Sequence, residues 1–175
     1  MSEWRLSARG RKRALTVHVA ASVALLGSVA TTLVLALTAA TTDDDALARA
    51  GYELMRTLTL ALNIPLALTA LVSGIVVGLG TRWGVLRHRW VATKLALLLA
   101  VALIGALVIG RGVEAALAAP PGLEPESAQW RVVGGAAAAA AALVAATALS
   151  VYKPGGRLRA RRGGVDLARS GSTSS

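Results

Sequence analysis

The sequence predicts an all-α fold, a polytopic transmembrane four-helix bundle, and three observations carry that reading. Hydrophobic residues make up 55% of the 175 positions, with a mean hydropathy of +0.61. They are gathered into four long blocks rather than scattered at the periods of a soluble core. When the two termini are counted with the central Thr81–Trp90 connection and Lys94, all but four of the 19 Lys and Arg fall on alternate segments, as the positive-inside rule requires of a chain threaded through a bilayer.

The first block, Ala14 to Ala40, contains no Asp, Glu, Lys or Arg. A hydrocarbon core of about 30 Å needs about 20 helical residues, so this block spans with length to spare. It follows a basic cytoplasmic N-terminus, residues 1–13, with Arg5, Arg9, Arg11, Lys12 and Arg13. That start resembles the n-region of a secretory signal, but a signal's apolar region runs only about 7–15 residues. We read an uncleaved first transmembrane helix over 14–40.

Asp43, Asp44 and Asp45 follow. Three adjacent carboxylates do not converge on an isolated helix, whereas Thr and Asp ahead of Ala46-Leu47 suit a helix N-terminus and its dipole. The second helix is expected over 46–80, with its spanning part from Thr57 to Gly80. Asn63 and Pro65 lie in it, and the Pro predicts a kink. Gly74-Ile-Val-Val-Gly78 forms a small-xxx-small face suited to close helix approach.

Thr81 to Trp90 is a short connection carrying Arg82, Arg87 and Arg89 with no acid. The third helix is expected over 91–110 and the fourth over 132–152, the latter with Gly134-Gly135 and an unbroken run from Ala136 to Ala142. Alanine forms helix well but is weakly hydrophobic, so this helix is expected to pack through small residues. Between the two, Arg111 to Arg131 contains Pro120-Pro121-Gly122 and Pro125 and is expected to be an irregular outer loop. Residues 153–175, rich in Gly, Ser and Arg, are expected to be a basic, disordered cytoplasmic tail.

With both termini and the Thr81–Trp90 connection inside, and Lys94 assigned to that side, all but four of the 19 Lys and Arg are cytoplasmic; the exceptions are Arg49, Arg56, Arg111 and Arg131. The inner side then holds only Glu3 and Asp166 among the 9 acids. The expected location is the cell (plasma) membrane. The net charge of +10 is then accounted for by attraction to anionic lipid headgroups at the termini and central loop rather than by nucleic acid. The lipid bilayer is the primary partner, and the small-residue faces leave a homo-oligomer or contacts with other membrane proteins open.

The chain contains no Cys and no Phe, which removes disulfides, thiolate metal sites and iron–sulfur clusters. It carries no phosphate loop or nucleophile elbow. Transport would call for internal repeats and several intramembrane polar groups, and the sequence offers little beyond Asn63. The ionisable candidates inside the apolar runs are His18, about 6 Å past Ala14, and Lys94. Trp90 and Lys94 are spaced i, i+4 and share a helix face. Two readings of these three residues stand together. In one, Trp90 is an interfacial anchor, Lys94 snorkels to the headgroups and His18 bonds a neighbouring helix. In the other they form a cofactor site; a haem needs only one or two axial ligands, so the scarcity of His does not exclude it.

His18 in its LTVHVAASVALLG context, Pro65 followed by Gly74, Trp90-x-x-x-Lys94-Leu95 and Lys153-Pro154 together resemble the HemJ-type protoporphyrinogen oxidases, which are similar in pattern to CopD-like membrane domains. Over about residues 14–156, with VYKPGG as its clearest part, the chain more closely resembles a family of uncharacterised four-helix integral membrane proteins of high-GC, actinobacterial-type bacteria. The second resemblance implies only a four-helix membrane protein, and the small-residue faces suit a non-enzymatic, accessory or assembly component of the membrane. The first implies a haem-associated redox protein or porphyrinogen oxidase, with His18 as axial ligand and Trp90 and Lys94 beside the tetrapyrrole.

Overall fold

The computed structural model describes residues 7–79, 89–120 and 122–152, and among these the fold is an all-α four-helix bundle. The basic tail from 153, the first six residues and the Arg-rich Thr81–His88 stretch lie outside the described residues. The first rod is α1, Ala8–Thr41. The second is one continuous helix made of α2, Asp45–Leu58, a wide π-helical turn, Thr59–Asn63, and α3, Ile64–Leu79. The third joins α4, Arg89–Leu103, through a second π-helical turn, Ile104–Gly110, to α5, Arg111–Ala118. The fourth is α6, Glu126–Tyr152. All four rods are long and apolar enough to cross a membrane.

Their ends follow from local chemistry. Ser7 caps α1, its Oγ accepting from the Gly10 N–H at 3.1 Å. Asp44 caps α2, its Oδ1 accepting from Ala46 and Leu47 at 2.9 and 3.1 Å, so one member of the acidic triplet does the work of an N-cap. Pro65 has no N–H for the Ala61 carbonyl, and its ring crowds that turn. The chain widens just before it, with the Ile64 N–H bonding the Thr59 carbonyl five residues back. A π turn is one of the recognised ways a helix accommodates such a disruption.

The third rod does not stop at Gly110. Arg111–Ala118 is helical and α6 begins at Glu126, so the irregular outer loop expected over 111–131 contracts to the few residues after Ala118. The physical reason is amphipathicity: Gly112, Val113 and Ala116 are buried while Arg111, Glu114 and Ala115 face out, a helical spacing that lets this turn pack. Within the connection, Leu123 N–H bonds the Pro120 carbonyl at 3.0 Å and Gly122 takes φ +77°. A Cβ at Gly122 would also stand 2.7 Å from Asp45 Oδ2, so conformation and space both require glycine there.

In the packing, α1 lies against the second rod and against α6, while α4 lies against α6 and, less extensively, α3. The first and third rods therefore stand across the diagonal. They approach through the mid-bundle cluster of Leu25 and Val29 on α1, Val101 on α4 and Ala139 and Leu143 on α6. A second cluster joins Ala36 and Ala39 to Tyr52, Met55, Val113, Ala116, Val132 and Ala136. Large apolar side chains such as Val23, Val34, Leu60, Leu68, Val72 and Leu103 stay exposed on the outside. On a soluble protein such a surface would be a liability; on this one it faces lipid.

Small residues set how close the rods come. At Gly112 a Cβ would fall 2.5 Å from Val132 Cγ2 and 3.2 Å from the Ala128 carbonyl, whereas at Gly27 it would meet nothing within 4 Å. Gly112→Leu is expected to lower stability by about 1–3 kcal/mol through overpacking, and Gly27→Leu to change it by less than about 0.5 kcal/mol. Thermal unfolding of both variants in detergent checks this; equal midpoints would contradict the α5–α6 contact.

Candidate functional site

His18 is the one sequence-predicted site residue whose side chain the structure places. Its Nδ1 is 2.9 Å from the Ala70 carbonyl and 3.3 Å from Ser73 Oγ. A carbonyl only accepts, so Nδ1 carries the proton and donates. Ser73 spends its own hydroxyl proton on the backbone of its helix, at the Thr69 carbonyl, and so faces His18 as an acceptor. The ring rests on Gly74, where a Cβ would approach Cε1 to 3.0 Å and Nδ1 to 3.3 Å. The glycine of the small-xxx-small pattern thus seats an imidazole: α3 approaches α1 here with a ring filling the space that a larger residue would occupy.

Trp90 and Lys94 lie on α4, and their side chains are outside what the structure describes. Among the described residues, the side chain and backbone groups that His18 meets belong to α3. Sequence reasoning missed Ala70, Ser73 and Gly74 as the partners of His18. The available signal was the Ser73-Gly74 pair on a helix expected to run antiparallel to the first.

A second grouping of charges forms at the opposite end of the bundle, where α2, α5, the connection after Ala118 and the start of α6 make a folded cap. The second rod has 34 residues, about 51 Å at 1.5 Å per residue, so its first turns stand beyond a core of about 30 Å. There Arg49 donates to the Leu117 and Ala119 carbonyls at 3.4 and 3.5 Å, capping the C-terminus of α5. It also lies 3.6 Å from Glu53, and Arg56 pairs with Glu114 at 3.2 Å. Both pairs are well exposed, which limits each to about 0–1 kcal/mol. They line an open groove of about 400 Å³.

Beneath it Tyr52 is fully buried. Burial, and then the Glu124 carboxylate, raise its phenol above the usual value. Tyr52 Oη and Glu124 Oε1 have no hydrogen-bond partner among the described residues. Also among the described residues, no group of three His, Cys, Asp or Glu is placed to hold a metal ion.

These features define a multi-pass, all-α membrane protein. No family model, curated protein or solved structure matches the chain, so its own residues carry the functional argument.

The His18 seat makes a coupled prediction. Interhelical hydrogen bonds in membranes average about 0.6 kcal/mol and reach about 1.7, so His18→Ala is expected to cost on the order of 1 kcal/mol with some lost packing. Gly74→Leu is expected to cost more in the native background and clearly less once His18 is Ala. A double-mutant cycle on thermal midpoints checks it; strictly additive effects would contradict the contact.

Proposed function

We propose that the protein is a non-enzymatic accessory component of the cell membrane, with both termini and the Thr81–Trp90 connection cytoplasmic and the helical cap on the outer face. The observation that carries the accessory reading is the cap. Tyr52, Met55 and Val132 are fully buried beneath it, Arg49 ties α2 to the end of α5, and Asp45 packs on Gly122. Its exposed side, which includes Leu47, Leu54, Leu123 and Trp130, is therefore held in one shape. Preorganisation of that kind lowers the ordering cost of an assembly contact. The seating of His18 between two helices supports the same reading, because it gives that imidazole a packing role.

The orientation rests on the charges: with both termini, the Thr81–Trp90 connection and Lys94 on one side, that side holds all but four of the 19 Lys and Arg, the bias of a cytoplasmic face. Anionic headgroups are the expected partners of that basic side. Another membrane protein or a second copy of this chain is the expected partner of the bundle itself.

One observation favours a second reading, a haem-associated redox protein or porphyrinogen oxidase of the HemJ type. Nδ1–H of His18 donates to the Ala70 carbonyl, and a backbone acceptor on one ring nitrogen is the usual support for an imidazole that ligates through the other. In that reading His18 ligates the haem, which when bound supplies one-electron chemistry, and Trp90 and Lys94 flank the tetrapyrrole. Lys94 would pair with a propionate.

Protein purified from haem-replete cells is expected to be colourless. A Soret band that disappears in His18→Ala would overturn the accessory reading in favour of the second. A fluorescent protein fused after Ser175 is expected to fluoresce in the cytoplasm, and an attached reporter active only outside would contradict the orientation.

A further inference from the structure

Midway along the bundle, two side-chain oxygens are buried with no hydrogen-bond partner among the described residues. Ser28 on α1 is 8% exposed, and its Oγ has no hydrogen-bond partner among the described residues; Asn63 Oδ1, at the end of the first π turn, is in the same state. The neighbours of Ser28 show that this is not the habit of hydroxyls in this helix. Thr31 and Thr32 donate to the carbonyls four residues back, at Gly27 and Ser28, each at 3.0 Å.

The register places Ser28 and Asn63 at one depth. His18 sits against Ala70 and Gly74, and Ala39 sits against Gly51 with 3.3 Å to its would-be Cβ. Between those fixed points the antiparallel run brings the middle of α1 alongside Thr59–Asn63, and the two segments are in contact. Backbone adds a third polar group. The Ile64 N–H is committed to the Thr59 carbonyl and Pro65 has no N–H, so the Leu60 carbonyl, one turn from Asn63, has lost its α-helical donor and has no π-helical one. Lipid offers nothing to hydrogen-bond such groups. Buried polar groups left over by the protein are characteristically satisfied by ordered water making two to four bonds.

We propose that the seam between α1 and the Thr59–Asn63 turn is a binding site for water at the middle of the membrane. The water donates to Asn63 Oδ1 and accepts from or donates to Ser28 Oγ. The site takes a small, neutral hydrogen-bonding molecule. The apolar cluster beside it, Leu25, Val29, Leu66 and Ala67, closes it toward the bundle core. This holds under either functional reading, because it depends only on the seam.

The chain has no Cys, so a single introduced thiol reports hydration at its own position. Thiol reagents attack the thiolate, which forms only where water reaches the sulfur. Ser28→Cys is nearly isosteric; Asn63→Cys serves as the second probe, and Leu25→Cys and Val34→Cys are the core and lipid-facing controls. All four are made in the full chain in proteoliposomes and treated with the small permeant reagent 2-aminoethyl methanethiosulfonate. Ser28→Cys and Asn63→Cys are expected to react at least tenfold faster than both controls. Rates at Ser28 and Asn63 no greater than those of the controls, in variants that retain the wild-type thermal midpoint, would overturn the site. So would retention of the fast rate at Ser28 after Asn63→Leu, since the two side chains would then not share one water.

Discussion

Close approach between α1 and its two neighbours is the constraint on which the rest of this structure depends. Lipid tails are as apolar as Leu, so helices inside a bilayer gain little from burying apolar surface against each other. They associate through van der Waals packing and a few polar contacts, and small residues permit both. On α1 the buried positions Ala21, Leu25, Ser28, Val29, Thr32, Ala36 and Ala39 form one stripe in which large side chains are the minority. Gly51 and Gly74 answer it from the second rod and Ala136 and Ala139 from α6. The third rod is held mainly through α6, with Gly135 set against Val108 and Ile109, and the cap forms where α5 then runs on past the second π turn.

Backbone satisfaction imposes the second constraint. Both interruptions of the rods, Thr59–Asn63 and Ile104–Gly110, stay helical and change only their hydrogen-bond step. An open loop at that depth would leave its polar groups facing lipid. The first interruption has an evident cause in Pro65. At the second, a Cβ at Gly110 would stand 3.2 Å from the Gly105 carbonyl, whereas one at Gly105 would meet nothing within 4 Å.

Much of this fold was legible in the sequence, for a definite reason: lipid imposes a length and a hydropathy that can be read locally. The four spans and the Asp-capped start of α2 follow from such local rules. The continuation of the third rod through α5 was obscured because Arg111 and Glu114 break the hydropathy and Pro120-Pro121 suggests a loop. The buried spacing of Gly112, Val113 and Ala116 was present but covers barely two turns. The candidate site was less legible. His18 stands out by chemistry alone, but which helix it meets is a question of packing order. That order places α3 beside α1 and sets α4 on the diagonal, a choice that depends on which faces carry small residues. Neither Ser28 nor Asn63 announces an unpartnered oxygen until the register of the two helices is known.

The central claim is that register: α1 lies antiparallel to the second rod with Ala39 against Gly51 and His18 against Gly74. It is tested most directly by a disulfide, since the chain supplies no competing thiol. The separation from Ala39 Cβ to a Cβ built at Gly51 is 3.3 Å, close to the roughly 3.5–4.5 Å of a disulfide. The double variant Ala39→Cys/Gly51→Cys is predicted to cross-link rapidly and completely within one chain under mild oxidation, while Ala39→Cys/Leu107→Cys, with Leu107 exposed on the third rod, is predicted not to. Absence of the first cross-link, or its appearance in both variants, would contradict the arrangement described.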